Sequence, residues 1–287
     1  RTKLSSRFER AQRRKSEDEA LLKSLPRREV HFDKHTLPQT PYIKPQVVRY
    51  SAVEFRPHID KRNLFSLNWK FGAKSGRAKR GDKEESLEHL FLDWTKRADD
   101  EGWLQPQGVL AVFPCQSDGD EVVLYDIETQ SRELCRFDFT PVIGSGKEDI
   151  ICGAQYFRPK STGEFDAVGL QICSTGPQID EQLAAFKAEG DSESALFLQG
   201  LSDRLAEDMA EFLHQELKQR LGFDGAKRGT RWSPGYPAIT NVLNNIKIYD
   251  LLEAKDRIGA NVTEAGEFFP TGCTAAIVSF HPDARYM

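Results

Sequence analysis

The chain is short of the features that announce a metal centre or a membrane segment. Its five cysteines, Cys115, Cys135, Cys152, Cys173 and Cys273, are odd in number, widely spaced and without a CxxC pair. That pattern excludes a disulfide framework or zinc knuckle and leaves thiols packed in a core. The six histidines, His31, His35, His58, His89, His214 and His281, show no HExxH or similar ligand spacing, so no bound metal is expected. No apolar run reaches the roughly 18 residues of a membrane span. The first thirty residues also lack the apolar stretch of a signal peptide, so the expectation is a cytoplasmic chain without a membrane partner. A net charge of -4 confines basic character to local clusters and argues against nucleic acid as a ligand. There is no GxGxxG after a strand, no GxxxxGK[ST], no GxSxG and no internal repeat; "GSGK" at 144–147 lacks phosphate-loop spacing and reads as a loop.

With 287 residues, 39% hydrophobic and 29% charged, the chain can bury the core of one large domain or two small ones. Residues 1–24 are dominated by charge, as in a solvated or linker helix, and residues 25–50 carry prolines at 26, 38, 41 and 45, as in an extended arm over the surface. The domain proper is expected from 41 to 287, after a linker helix and arm at 1–40. In residues 84–100, Leu87, Leu90, Phe91 and Trp94 have helical spacing. Strands are expected at 108–115, 120–126, 165–174 and 275–280, the first two forming a hairpin around Asp118 and Gly119. The strongest helix spans 193–222, with Phe197, Leu201, Leu205, Met209, Leu213 and Leu217 recurring every four residues. Another is expected from a Thr240 cap to a stop before Gly259. Helices among strands without βαβ periodicity predict an α+β fold: a single domain with a twisted antiparallel sheet flanked by helices.

Two features could carry chemistry. Glu207 and Glu211 lie one turn apart on the long helix, as an acid/base couple or simply a solvated face. The stretch "RGTRWSPGYPAITN" (228–241) places two prolines and two glycines within nine positions, which argues against regular structure. A guanidinium on such a stiff backbone suits a carboxylate clamp, with a tight structural turn bearing an idle Arg231 as the other reading.

Six ordered stretches, covering about residues 40–287, carry a family resemblance. "RWSPGYPA" with a following helix, "VTEAGEFFP" (262–270) and "SFHPDARYM" (279–287) resemble the C-terminal activation domain of cobalamin-dependent methionine synthase. "HIDKRNLF" (58–65), "GVLAVFPCQSDGDEVVLY" (108–125) and "LSDRLAEDMAEFLHQEL" (201–217) are similar to further family segments in the same order. The resemblance implies an S-adenosylmethionine site and no catalytic nucleophile. Asp60 would accept from the ligand ammonium and Arg231 would clamp its carboxylate. Main-chain groups of Ser233 and Gly235 would hold the adenosyl part, Tyr236, Tyr286 and Met287 would close the pocket, and Glu207 would stand nearby. Departures are Lys61 where the family has Trp, Ser233 where Ala is common, and Gly225 where many relatives are acidic.

By the same resemblance the chain serves methionine biosynthesis as part of an enzyme, methionine synthase. It would reactivate cob(II)alamin by presenting the methyl group of S-adenosylmethionine while an electron donor, a flavodoxin or flavoprotein reductase, supplies one electron. Nothing in the chain matches the family's homocysteine, folate or cobalamin modules, so cobalamin is expected on a partner module of the same polypeptide or a separate subunit. The alternatives are a stand-alone S-adenosylmethionine-dependent methyltransferase, for which Glu207 and Glu211 are the acid/base candidates, and a non-catalytic docking module for a cobalamin protein.

Overall fold

The computed structural model describes residues 17–71, 80–223 and 228–287, with the backbone alone at 80–84. The readings made for residues 1–16 and for Gly225 lie outside the described residues. Strands β1 (Ile43–Arg49), β2 (Gln107–Asp118), β3 (Glu121–Tyr125), β4 (Glu133–Asp138), β5 (Asp166–Ser174), β6 (Thr230–Trp232) and β7 (Cys273–Ser279) form one sheet. Its order is β4-β3-β2-β5-β7-β6, every pairing being antiparallel. β2 is long enough for one edge to serve two partners, β1 along residues 107–112 and β3 along 115–118. The hairpin loop is Gly119–Asp120, one residue later than expected, because Gly119 supplies the positive φ (66°) at the first loop position.

Four strands follow the apolar runs of the sequence. Three others do not: β1 contains Pro45, β4 mixes charge with apolar residues, and β6 lies in the Pro/Gly stretch where regular structure was not expected. β6 forms because the prolines begin only at Pro234, leaving Thr230–Trp232 free to pair with Ile277–Ser279.

Alternation along β2 sends Leu110 and Val112 to one face and Val109, Ala111 and Phe113 to the other. The first face is covered by α1 (Arg80–Asp100), α2 (Ile179–Ala188) and α3 (Ser192–Arg220), and the second by α4 (Asn244–Leu251) and α5 (Ala254–Ile258). α3 starts at Asp191, whose carboxylate accepts from Ser194 N–H, and all six residues of its four-residue apolar repeat are buried. Each such side chain contributes about 1.5–3 kcal/mol by leaving water. The helix sits close because Gly108 lacks a side chain: a Cβ there would lie 2.5 Å from Leu213 Cδ1. Among the described residues no helix is long and apolar enough to cross a membrane.

The helix expected from a Thr240 cap begins later, and that expectation is corrected. Thr240 Oγ1 is paired with Thr140 Oγ1 at 2.8 Å, and Asn241 Oδ1 accepts from Leu243 N–H in the turn before α4. Glu253, at φ 50°, then separates α4 from α5.

The N-terminal arm is more than a surface strap. Residues 17–24 are helical, after which Arg28 is held by backbone and side chain: its N–H donates to Ile150 O and its guanidinium pairs with Asp149 at 2.6 Å. His35, only 1% exposed, meets Asp166 Oδ1 at 2.7 Å, while Arg158 donates to His35 O at 2.8 Å. The buried Asp166 carboxylate at the start of β5 is satisfied by this histidine and by the N–H groups of Arg158 and Ala167. His35→Ala is expected to cost about 1–3 kcal/mol, the consequence of leaving a buried polar partner unmade. Chemical denaturation measures that loss, and faster proteolysis across the arm should accompany it.

Candidate functional site

Along α3 run two rows at four-residue spacing, Asp203, Glu207 and Glu211, beside the buried Ala206, Ala210 and His214. Both rows line a cleft of about 830 Å³. Small alanines leave room, and the acidic row gives one wall its charge. Opposite stand Thr230, Arg231, Ser233 and Tyr236, with Gly272, Cys273 and Thr274 at the start of β7, Asn68 from the π-helical turn Leu64–Asn68, and Tyr286 from the C-terminal segment.

Strand alternation decides where Arg231 points. Trp232 pairs with Ile277 and packs into the core on the second face, being 1% exposed, so Arg231 projects from the helix-bearing face. Its Nε donates to Glu211 Oε2 at 3.4 Å. Glu211 Oε1 accepts from Gln215 Nε2 at 2.6 Å and lies 3.8 Å from His214 Nδ1. The neighbouring His214, although at 3.8 Å it stops short of a hydrogen bond, and then Gln215 and Arg231 lower the Glu211 carboxyl against the opposing effect of burial. The Asp203 carboxyl is pushed the other way, mainly by burial and further by the Glu207 charge.

Of the residues expected at the site, Glu207, Arg231, Ser233, Tyr236 and Tyr286 meet in this cleft. Tyr236 and Tyr286 are exposed at its mouth. Asp60, Gly235 and Met287 are not among the lining residues. Asp60 caps the short helix Lys61–Asn63, accepting from Asn63 N–H and Nδ2, and its own N–H donates to Asp208 on α3. Gly235 takes φ 91°, open to glycine, and its N–H donates to Ile239 O at 2.8 Å. Met287 packs against the core of the second face. The sequence reading did not single out Asp203 or His214; their signal was the i, i+4 and i+8 repeat along α3. Asn68 and the start of β7 carried no such signal. Among the described residues, no group of three or more His, Cys, Asp or Glu side chains is arranged to hold a metal ion. Cys115, Cys152 and Cys173 are buried, and Cys135 and Cys273 half-buried, as thiols of a core would be.

An antiparallel sheet whose edge strand faces a long helix across a cleft, with a guanidinium on one side and carboxylates on the other, sets charges of both signs around a space of small-ligand size. Comparison with known proteins narrows the class. The family described as "Vitamin B12 dependent methionine synthase, activation domain" matches residues 52–287, and the chain belongs to that family. It is 26% identical over 319 aligned positions to a methionine synthase of Mycobacterium leprae, covering 99% of this chain and 26% of the relative. It is also 26% identical over 280 positions to a methionine synthase of Mycobacterium tuberculosis, covering 87% of this chain and 23% of that one. The chain therefore spans about a quarter of the length of these relatives. A crystal structure of the MetH reactivation domain bound to AdoHcy superimposes with a TM-score of 0.79 at 25% identity, covering 94% of this chain and 87% of the other.

Proposed function

We propose that this chain binds S-adenosylmethionine and presents its methyl group to the cobalamin of a partner module, so reactivating methionine synthase. The observation that carries the reading is Arg231, set on β6 opposite the acidic row of α3 across a cleft within the 300–1,000 Å³ range of small-ligand sites. The donor set fits an amino acid joined to a nucleoside. Arg231 receives the carboxylate. Asp60, whose exposed carboxylate oxygens each keep a lone pair beyond their bonds to Asn63, takes the ammonium with Glu207 nearby. Main-chain groups of Ser233 and Gly235 serve the adenosyl part, and Tyr236, Tyr286 and the Met287 backbone close the site.

Cobalamin, carried by the partner module, supplies the methyl acceptor, and a flavodoxin or flavoprotein reductase supplies one electron. The protein's share is orientation: residues that grip the amino-acid and adenosyl ends of the ligand would hold the sulfonium between them. Glu211, its carboxyl lowered from the ordinary value and tied to Arg231 and Gln215, is poorly matched to proton transfer at neutral pH, which disfavours a stand-alone methyltransferase built on Glu207 and Glu211.

Methyl-labelled S-adenosylmethionine tests the proposal in three mixtures: the chain alone, the chain with a cobalamin-loaded module, and both with a reductant. Label is expected to move only in the third, although calorimetry should detect binding to the chain alone. Label on any acceptor in the first mixture would replace the reactivation reading with an independent methyltransferase.

A further inference from the structure

The Arg231–Glu211 contact is long for a charge-assisted pair, at 3.4 Å against the usual 2.7–2.9 Å. One helical step away, His214 is 7% exposed, and neither ring nitrogen has a hydrogen-bond partner. Buried polar atoms are normally paired, so an imidazole with both nitrogens idle in a cleft wall needs an explanation. Glu211 Oε1 is the carboxylate oxygen beside it, 3.8 Å from Nδ1 and about 1 Å beyond a good hydrogen bond.

We propose that Glu211 is a positioning residue that holds Arg231 across the cleft, and that it moves onto His214 when a ligand carboxylate takes Arg231. This rests on the S-adenosyl reading above and adds a step to it. Glu211 occupies the guanidinium that the ligand needs, so the two carboxylates compete. Turning the Glu211 carboxyl toward Nδ1 frees Nε of Arg231 and gives the imidazole the partner it lacks. With a proton on Nδ1 the ring donates that bond to the carboxylate. Gln215 Nε2, at 2.6 Å from the same oxygen, anchors the carboxylate during the turn. Half exposure of the Glu211 side chain leaves it free to move, whereas the 8% exposed His214 side chain is a fixed receiver.

The test is calorimetry of the whole chain with two ligands that share the adenosine thioether: AdoHcy, which carries the amino-acid group, and 5′-methylthioadenosine, which does not. Glu211→Gln is expected to tighten AdoHcy about 3- to 10-fold by removing the competitor, with 5′-methylthioadenosine unchanged. His214→Phe is expected to weaken AdoHcy about 10-fold, again without effect on the shorter ligand, and His214→Gln, which restores an amide donor, should recover most of that loss. Ligand-free melting of each variant separates these effects from damage to the fold. Should His214→Phe fail to fold, the half-exposed Glu211→Gln decides alone. AdoHcy binding that Glu211→Gln leaves equal or weaker overturns the exchange and leaves the S-adenosyl reading standing. A parent chain that binds neither ligand overturns that reading, and the exchange with it.

Discussion

Replacing Arg231 with Ala is expected to weaken AdoHcy binding by about 2–4 kcal/mol, roughly a 30- to 1,000-fold loss, with the ligand-free fold intact. The size follows from what truncation leaves behind: a ligand carboxylate drawn into the cleft with no guanidinium to meet it. The fold should survive because Arg231 is 29% exposed in its side chain and its partner Glu211 keeps Gln215. The strand itself is fixed by its pairing with Ile277–Ser279 and by Trp232, neither of which needs the guanidinium. Calorimetry with AdoHcy, alongside thermal melting without it, reads the two effects separately. Unchanged affinity would mean that Arg231 is an idle residue on a structural turn.

The second large effect is on stability. Trp232→Ala should cost about 3–5 kcal/mol, as expected for emptying a fully buried aromatic site that the surroundings cannot refill. Trp232 is 1% exposed, lies edge-on to Phe139 at 5.6 Å between centroids and stacks on Tyr156 at 6.2 Å. Its Nε1 donates to Arg285 O at 3.2 Å, tying β6 to the segment that presents Tyr286 to the cleft. The same substitution should therefore loosen both the Arg231 and Tyr286 sides of the site, and AdoHcy affinity should fall even at temperatures where the variant is folded. Denaturant unfolding gives the first quantity and calorimetry at low temperature the second. A variant that loses stability but binds AdoHcy like the parent would show that Arg231 is oriented without help from Trp232.

Much of the fold was legible because the periodicities are local. The apolar runs that became β2, β3, β5 and β7, and the four-residue repeat of α3, each report which face of an element is buried, and burial is what the sequence pattern encodes. The shorter strands were not legible, since Thr230–Trp232 and Ile43–Arg49 owe their conformation to pairing with partners far along the chain. His35 reads as one histidine in a Pro-punctuated arm, and only its meeting with Asp166, 131 residues away, makes it a buried anchor.

The candidate site divides the same way. By itself the sequence determined the chemistry on offer: an arginine on a stretch stiffened by Pro234, Gly235 and Pro237, acidic residues at helical spacing, and two tyrosines near the cleft-forming segments. The tertiary structure alone decided which of these face one another. It brought Arg231 to Glu211 by pairing β6 with β7, because Trp232 had to turn into the core and its neighbour therefore had to turn the other way. It also left His214 beside Glu211 with neither ring nitrogen hydrogen-bonded, next to Leu213, which packs over Gly108 of β2, since where a helix face comes to rest depends on the surface beneath it and not on the helix alone.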